Sequence, residues 1–168
     1  MFKEVKFNEA TAITSPDLVF VCTEKENGKP NMAPVSFFMY SSFVPPMIAF
    51  ATLQGGNTGA NFRRTKKAVI AVPATTIKDA VMKFGTSSGN KVDKLEDSGL
   101  ELTTIEGCDI PFPAESRIAF EVTLENYYES GSHYLYNCKI EKIVADEEKE
   151  GLFAWNGYAE AAPAVKKA

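Results

Sequence analysis

The stretch Asn31-Met-Ala-Pro-Val-Ser-Phe-Phe-Met-Tyr-Ser-Ser-Phe-Val-Pro-Pro-Met-Ile-Ala-Phe50 decides the fold of this 168-residue chain. It is predicted to open on a turn, run as a strand rich in aromatic and β-branched residues, break at the double proline and resume as an apolar strand. Small polar residues interrupt the apolar run where a core alone does not require them: Asn31, Ser36, Ser41 and Ser42. Hydroxyls and backbone groups on a rigid strand suit a flat ligand with a polar edge, so we expect this stretch to line a binding site.

Strand patterns also dominate the rest of the chain. Segments with strand composition are residues 17–23, 31–44, 47–52, 68–73, 100–104, 118–125 and 134–145. The first is a nearly continuous apolar run, typical of a strand buried on both faces. Asn27-Gly28 then supplies residues that favour a hairpin turn. The last segment slips by one residue after Ile140, which indicates a β-bulge.

Helical patterns are few and short. Asn57 or Thr58 is predicted to cap a helix that ends in the basic cluster 63–67. Further short helices are predicted over 77–84 and 90–99. Neither a Gly-x-Gly-x-x-Gly motif nor a P-loop motif is present, which disfavours a doubly wound nucleotide-binding sheet. Many strands with few helices predict a mainly β barrel decorated with helices.

Composition and charge limit the possible functions. With 45% hydrophobic and 24% charged residues, the chain has the composition of an ordinary globular protein, and its length predicts one domain over residues 1–168. The net charge of -4 argues against a nucleic-acid binder, because such proteins neutralise phosphates. No apolar run reaches the roughly 18 residues of a membrane helix, and the first residues contain no signal-peptide core. We therefore expect a cytoplasmic protein.

The three cysteines, Cys22, Cys108 and Cys138, are odd in number and include no Cys-x-x-Cys pair. This pattern argues against a disulfide framework or a structural zinc site, and it fits a reducing cytoplasm. Each cysteine lies in or beside an apolar segment, so we interpret it as a small buried hydrophobic residue. The ligand residues for a metal site of another kind are also lacking, and no metal is predicted.

The loop over residues 54–61 is the strongest chemical candidate after the opening stretch. Its glycines allow a phosphate to approach backbone amides closely, and Thr58 and Asn61 add side-chain donors. Arg63 or Arg64 is predicted to reach back and complete a dianion site. The alternative is a plain surface turn followed by a solvated basic helix.

His133 is the only histidine, so any acid–base scheme that needs histidine has to use it. A structural or surface histidine is the alternative interpretation. No nucleophile elbow and no distinctively spaced pair of carboxylates accompanies it. A flavin needs neither, because its ring supplies the redox chemistry while the protein positions it. A site poor in acids and bases therefore favours a flavin over hydrolysis.

Six short motifs occur in order along the chain: Asn31-x-Ala33-Pro34-x-Ser36-x-Phe38, Ser41-Ser-x-x-Pro45-Pro46, Asn57-Thr58-x-x-Asn61-Phe62, Val92-Asp-Lys-Leu-Glu-x-Ser98-Gly99-Leu100, Glu115-Ser116 and Ser132-His133-Tyr-Leu. Their order and separation resemble those of the flavin reductase-like proteins with an FMN-binding split barrel, a family that includes flavoredoxin. The resemblance covers residues 17–145, most of the chain.

The resemblance implies a six-stranded antiparallel Greek-key split β-barrel that forms a homodimer, with FMN bound non-covalently near the dimer interface. The cofactor-binding residues that it implies are Asn31, Ala33, Pro34, Val35, Ser36, Ser41, Ser42, Thr58, Asn61 and Arg63. Residues 33–36 and the two serines are expected at the ring and ribityl chain, and Thr58 and Asn61 at the phosphate. His133 is expected near the flavin or the nicotinamide. Family members often carry Arg or Lys where this chain has Gly55-Gly56, so Arg63, Arg64 or a partner subunit has to complete the phosphate clamp.

The implied activity is that of an FMN-dependent oxidoreductase. It would take a hydride from NADH or NADPH and pass electrons to free flavin or to a protein acceptor. One alternative is an FMN electron carrier of the flavoredoxin type that has no nicotinamide turnover of its own. The other is a split-barrel binding module that has lost its flavin.

Overall fold

The computed structural model describes residues 3–7, 9–10, 14, 17–86, 95, 98–156 and 158–164. The strands are β1 Val19–Glu24, β2 Pro30–Val35, β3 Phe38–Phe43, β4 Pro46–Leu53, β5 Lys67–Pro73, β6 Leu102–Thr103, β7 Phe112–Pro113, β8 Ser116–Ser130, β9 His133–Ala145, β10 Leu152–Trp155 and β11 Glu160–Pro163. The α-helices are α1 Asn57–Thr65 and α2 Lys78–Gly85, the second preceded by a 3-10 turn over Thr75–Ile77. Among the described residues, no helix combines the length and the apolar character that crossing a membrane requires.

Seven antiparallel strands form the main sheet in the order β2-β1-β5-β8-β9-β4-β3. The mainly β antiparallel fold is confirmed, but the expected number of six strands is wrong by one. The difference arises because the segment predicted as one strand over 31–44 breaks at Ser36-Phe37 into β2 and β3. These two strands lie at opposite edges of the sheet, and only two residues join them. The edges therefore have to meet, which curls the sheet into a barrel.

The barrel interior is filled by side chains that alternate along the strands. Strands β1 and β4, four positions apart in the sheet, both contribute to this core, as a curled sheet requires. At its centre the Phe50 ring stacks on the Tyr136 ring, with centroids 5.1 Å apart, and packs against the Phe62 ring of α1 at 5.5 Å. Helix α1 thus closes one end of the barrel while it carries the chain from β4 past β9 and β8 to β5.

A second apolar core covers the outer face of β1, β5 and β8. On β1, Phe20 and Cys22 point outward into this core while Val19 and Val21 point into the barrel. The strand is therefore buried on both faces, as its continuous apolar run predicted. Helix α2 covers Phe20 with Phe84, whose ring lies edge-on to it at 5.5 Å.

The three cysteines are free and buried, as the sequence predicted. Burial raises the pKa of the Cys138 thiol to about 12, because a thiolate is poorly solvated inside the barrel. The pKa of the Cys22 thiol is also raised by burial. Both groups are therefore neutral thiols at physiological pH and pack as small apolar side chains.

Three local predictions are confirmed and one lies outside the described residues. Gly28 has a φ of 77° in the turn that joins β1 to β2. The slip after Ile140 is a bulge, because Val122 pairs with Ile140 while Glu121 pairs with Lys142. The helix predicted over 77–84 is α2 with its 3-10 turn. The helix predicted over 90–99 lies outside the described residues, apart from 95 and 98–99.

Candidate functional site

A cleft of about 390 Å³ lies where β2 ends beside the N-terminus of α1. Its volume is in the range of small-molecule sites. Seven of the predicted site residues line it: Asn31, Ala33, Pro34, Val35, Ser36, Thr58 and His133. The curled sheet brings them together, because β2, the end of β4 and the start of β9 meet at this edge of the barrel.

The wall formed by β2 exposes backbone groups as well as side chains. In the main sheet β2 pairs only with β1, so one of its edges faces away from any sheet partner. The N–H and C=O groups on such an edge are available to a ligand. Ala33 and Ser36 add little side-chain bulk, and Pro34 fixes the local backbone. The wall is therefore stiff and shallow enough for a planar group to lie against it.

The first turn of α1 presents free backbone amides to the cleft. Gly56 is the N-cap residue and has no side chain to cap the helix, so the predicted cap at Asn57 or Thr58 is wrong. The backbone amides of Asn57, Thr58 and Gly59 donate no hydrogen bond to any described residue. Free amides at the positive end of a helix dipole form an anion-binding site when a ligand phosphate can reach them.

A buried hydrogen-bond network fixes the position of this helix end. The Asn31 amide nitrogen donates to Thr58 Oγ1 at 2.9 Å and to Thr23 Oγ1 at 3.1 Å. The Asn31 amide oxygen accepts from Asn57 Nδ2 at 3.1 Å. Each polar atom of the Asn31 side chain is thus satisfied inside the protein. Because Thr58 Oγ1 accepts from Asn31, and donates to none of the described residues, its own proton remains available to the cleft.

Three aromatic rings line the opposite side of the cleft. The Phe37 ring lies 5.2 Å from the His133 ring and 6.2 Å from the Tyr158 ring, measured between centroids. His133 Nδ1 lies 2.9 Å from Ser132 Oγ, and this contact orients the imidazole ring. Tyr158 has a φ of 73°, a left-handed conformation that is rare for a bulky residue and is enriched at functional sites.

A cluster of polar groups lies behind the cleft, between α1 and the strands β4 and β9. Arg63 donates a hydrogen bond to the Tyr136 hydroxyl, and its guanidinium carbon lies 4.6 Å from the centroid of the Tyr134 ring. Burial raises the pKa of the Tyr136 phenol, so the phenol is neutral at physiological pH. The buried Thr52 hydroxyl has no hydrogen-bond partner among the described residues, although Thr52 lines the cleft. The Arg63 guanidinium is thus engaged by two tyrosine side chains, and Arg63 is not among the residues that line the cleft.

The other predicted binding residues lie away from the cleft lining. Ser41 and Ser42 lie on the edge strand β3, where the Ser41 hydroxyl donates to Asn137 Oδ1 at 3.0 Å. Asn61 and Arg64 face a separate groove on the other side of the α1 N-terminus. The structure thus brings the β2 residues, Thr58 and His133 together and separates them from both serines and both arginines.

Sequence reasoning missed several residues of the cleft, among them Phe37, Thr52, Phe84 and Tyr158. The sequence contained a signal for Phe37 and Thr52, since Phe37 lies within the stretch of residues 31–50 that is predicted to line a binding site and Thr52 lies just after it. Tyr158 carried none, because it reaches the cleft from the hairpin of β10 and β11, about 120 residues away from β2 in sequence.

Comparisons with known proteins identify the family and the fold. The family model described as "Flavin reductase like domain" matches residues 13–162. Among solved structures, flavoredoxin of Desulfovibrio vulgaris has a TM-score of 0.84 and 18% identity over 99% of this chain and 96% of its own. The NADH:FAD oxidoreductase SgcE6 of Streptomyces globisporus has a TM-score of 0.84 and 14% identity over 98% and 99%. An FMN-binding protein from Thermus thermophilus has a TM-score of 0.82 and 16% identity over 100% and 95%. At these identities the three structures show a common fold.

Gly59 permits α1 to approach the buried hydroxyls, and its replacement tests that packing. A Cβ atom at this position would lie 2.7 Å from Thr52 Oγ1 and in severe overlap with the Tyr136 hydroxyl. We expect Gly59→Ala to lower the free energy of unfolding by about 1–3 kcal/mol through overpacking, although alanine is the better helix former. Gly55→Ala is the matched control, since nothing lies within 4 Å of its Cβ position. Urea denaturation of both variants measures the difference, and equal stability of the two would contradict this account.

Proposed function

The chain belongs to the flavin reductase-like family, and from this membership we propose that it is an FMN-binding oxidoreductase that oxidises NADH or NADPH. The observation that carries the proposal is the two-sided cleft, which has free helix amides and a hydroxyl at one end and aromatic rings at the other. FMN has a matching division, with a dianionic phosphate at one end and a planar ring at the other. The proposed acceptor is free flavin or a redox partner protein, and the proposed compartment is the cytoplasm.

The phosphate end of the cleft fits a dianion without a cation in direct contact. The backbone amides of Asn57 and Thr58 and the Thr58 hydroxyl are donors without acceptors among the described residues. None of the described residues that line the cleft is lysine or arginine. We therefore assign the phosphate to the α1 N-terminus and Thr58, where the helix dipole supplies the favourable charge.

The ring end of the cleft fits a planar heterocycle. The residues Ala33, Pro34, Val35 and Ser36 would face the isoalloxazine ring with their free backbone edge. When bound, FMN supplies the hydride and electron transfer chemistry that the side chains lack. The task of the chain is to bind, to orient and to exclude water. Backbone amides near Ser36 would stabilise negative charge that develops on the polar edge of the ring.

His133 is assigned to orient the nicotinamide beside the flavin. Its ring lines the cleft next to Phe37, and the Ser132 hydroxyl holds Nδ1. The imidazole Nε2 is then the atom available to a second substrate. The proposed role is positional, so the loss of this ring has to affect reduction of the flavin more than its binding.

An FMN electron carrier is the second candidate. Flavoredoxin has this fold over nearly the whole chain, and the cleft would serve a carrier as well as a reductase. A carrier would hold the same cofactor in the same cleft but would accept electrons from a partner protein instead of from a nicotinamide.

Removing the Thr58 hydroxyl tests the phosphate assignment. We expect Thr58→Val to weaken FMN affinity about tenfold, because a hydrogen bond to a charged group is lost. Titration with FMN, followed by flavin fluorescence, gives the dissociation constant. Thr23→Val is the matched control, since it breaks the same Asn31 network without touching the cleft. Equal losses of affinity in both variants would mean that the network, and not the hydroxyl, determines binding. A wild-type protein that binds no FMN would refute the proposed function.

Stopped-flow reduction separates the reductase from the carrier. We expect NADH or NADPH to reduce the bound flavin of the wild-type protein, and His133→Ala to slow this step at least tenfold while the FMN dissociation constant changes less than threefold. Tyr128→Ala removes an exposed aromatic ring that does not line the cleft, and it should leave the rate unchanged. Flavin that stays oxidised with either nucleotide would favour the carrier.

The edge strand β3 supports the proposed homodimer. Phe43 and Val44 at its end are 94% and 92% exposed, and Met39 and Tyr40 on the strand are 54% and 62% exposed. An apolar strand edge of this kind is unfavourable in water unless a partner covers it. We expect the wild-type protein to sediment as a dimer and Phe43→Lys to sediment as a monomer. Phe7→Lys, at a position that is 77% exposed and lies outside the strand, should remain dimeric. A wild-type monomer at micromolar concentration would contradict this proposal.

A further inference from the structure

Tyr158 lines the cleft, but the proposed function gives its phenol no task. The side chain is 38% exposed, and its hydroxyl forms no hydrogen bond with another described residue. A phenol can donate a proton to a reacting group as well as a hydrogen bond. Apart from His133, no other side chain in the described lining is a general acid. The cleft therefore has two proton donors, and the phenol is the one without a role.

The β10–β11 hairpin fixes the position of Tyr158. Leu152 and Ala161 anchor its two strands in the second apolar core. At the tip, Asn156 Nδ2 donates to Glu160 Oε1 at 2.8 Å. The φ of 73° at Tyr158 is a strained conformation for a bulky residue and persists only where the surrounding structure imposes it. The fold thus holds this phenol at the cleft although a relaxed backbone would place it elsewhere.

The two proton donors flank one aromatic ring. Phe37 contacts the His133 ring at 5.2 Å and the Tyr158 ring at 6.2 Å between centroids, whereas no ring contact joins His133 to Tyr158. When His133 Nδ1 accepts from the Ser132 hydroxyl at 2.9 Å, Nε2 carries the proton of the neutral imidazole. A planar ring that stacks on Phe37 would therefore have a donor near each of two separate edges.

The charge of the lining limits which ring can bind there. The described residues of the cleft include no aspartate, glutamate, lysine or arginine. Nothing beside the aromatic rings would neutralise a charged group on a second ligand, and a charge transferred from water without a partner is unfavourable. The aromatic side of the cleft therefore favours an uncharged, planar ligand that accepts two hydrogen bonds.

We propose that this side of the cleft binds a small para-quinone and reduces it, with Tyr158 and His133 donating hydrogen bonds to its two carbonyl oxygens. The inference rests on the proposed function, because it takes the β2 wall as the position of the flavin ring. The carbonyl oxygens of a para-quinone lie at opposite ends of a planar, uncharged ring, which matches two donors that flank Phe37. The quinone enters after the oxidised nicotinamide has left, so the two substrates use the same space in turn.

The step balances with reduced FMN as the reductant. The quinone accepts a hydride, which carries two electrons and one proton, from reduced FMN at one carbonyl oxygen. It accepts a proton from the Tyr158 hydroxyl at the other. Both C=O double bonds become C–O single bonds, two O–H bonds form, and the products are a hydroquinone and oxidised FMN. The Tyr158 phenolate regains its proton from water, which its exposed position allows.

Equilibrium dialysis with duroquinone tests the binding part of the proposal. Duroquinone is a fully methylated para-quinone, so thiols do not add to its ring. We expect oxidised, FMN-loaded protein to bind it, and Tyr158→Phe to weaken binding about fivefold, because one hydrogen bond is lost. Tyr128→Phe is the matched control, since it removes the same oxygen atom from an exposed ring outside the cleft. It should bind duroquinone as tightly as wild type, and equal affinity of all three proteins would contradict the proposal.

Anaerobic stopped-flow measurements test the chemical step. The bound FMN is reduced by light with EDTA as the electron donor, and is then mixed with duroquinone or with ferricyanide, which accepts electrons without a hydrogen bond. We expect the ratio of the duroquinone rate to the ferricyanide rate to fall at least tenfold in Tyr158→Phe, because the proton donor is lost. The ratio should not change in Tyr128→Phe. An unchanged ratio in Tyr158→Phe, or wild-type reoxidation by duroquinone no faster than that of free reduced FMN, overturns the proposal.

Reduction by light also separates this proposal from the proposed function. Failure of the wild-type protein to bind FMN would refute both. If FMN binds and NADH or NADPH reduces it, but duroquinone does not reoxidise it, only the quinone proposal is wrong. If neither nucleotide reduces the flavin, but duroquinone reoxidises it in a Tyr158-dependent way after reduction by light, the quinone step stands and the nicotinamide activity does not.

Discussion

The two-residue connection Ser36-Phe37 is the constraint on which the rest of the structure depends. It joins β2 and β3, which lie at opposite edges of a seven-stranded sheet. A chain segment this short cannot span an open sheet of that width, since two residues reach only about 7 Å. The sheet therefore has to close on itself. Closure places the end of β2 next to β4, where the Ala51 amide donates to the Phe37 carbonyl at 2.9 Å, and the cleft lies along this seam.

Polar residues that interrupt the apolar pattern of β2 stabilise the structure where β2 meets α1, in addition to lining the cleft. Asn31 lines the cleft, but its side-chain amide is fully used in hydrogen bonds that join β2 to β1 and to α1. A buried amide with every group satisfied is stabilising and specific in geometry, whereas one left unpaired costs about 1–3 kcal/mol. The network thus positions the helix end, and Thr58, which lines the cleft, still has a proton to donate. Site and scaffold share the same side chains here, which explains why polar residues occur in a strand that a core alone would make apolar.

The sequence was sufficient for the fold class because hydrophobic periodicity is local. The double-faced burial of β1 and the bulge after Ile140 both follow from side-chain patterns within one strand. The break at Ser36-Phe37 did not follow, because no proline or glycine marks it and only the pairing partners of β2 and β3 reveal it. The helix cap was also missed, since glycine at Gly56 offers no side chain to recognise. For the site, the sequence was sufficient to predict that residues of β2 line the cleft. It could not predict that the Arg63 side chain points toward Tyr134 and Tyr136, or that Tyr158 reaches the cleft, because both depend on tertiary contacts.

The placement of the two arginines leaves the cleft side of the α1 N-terminus without a cation among the described residues. Arg63 lies over the Tyr134 ring and donates a hydrogen bond to the Tyr136 hydroxyl, where it stabilises the barrel end instead of a ligand. Arg64 lies in the neighbouring groove. The proposed phosphate site would therefore use fixed backbone dipoles and the Thr58 hydroxyl, which act at short range and in defined directions. A lysine or arginine at Gly56 would lie at the point where the cleft and the groove meet, since Gly56 and Asn57 are adjacent in the lining.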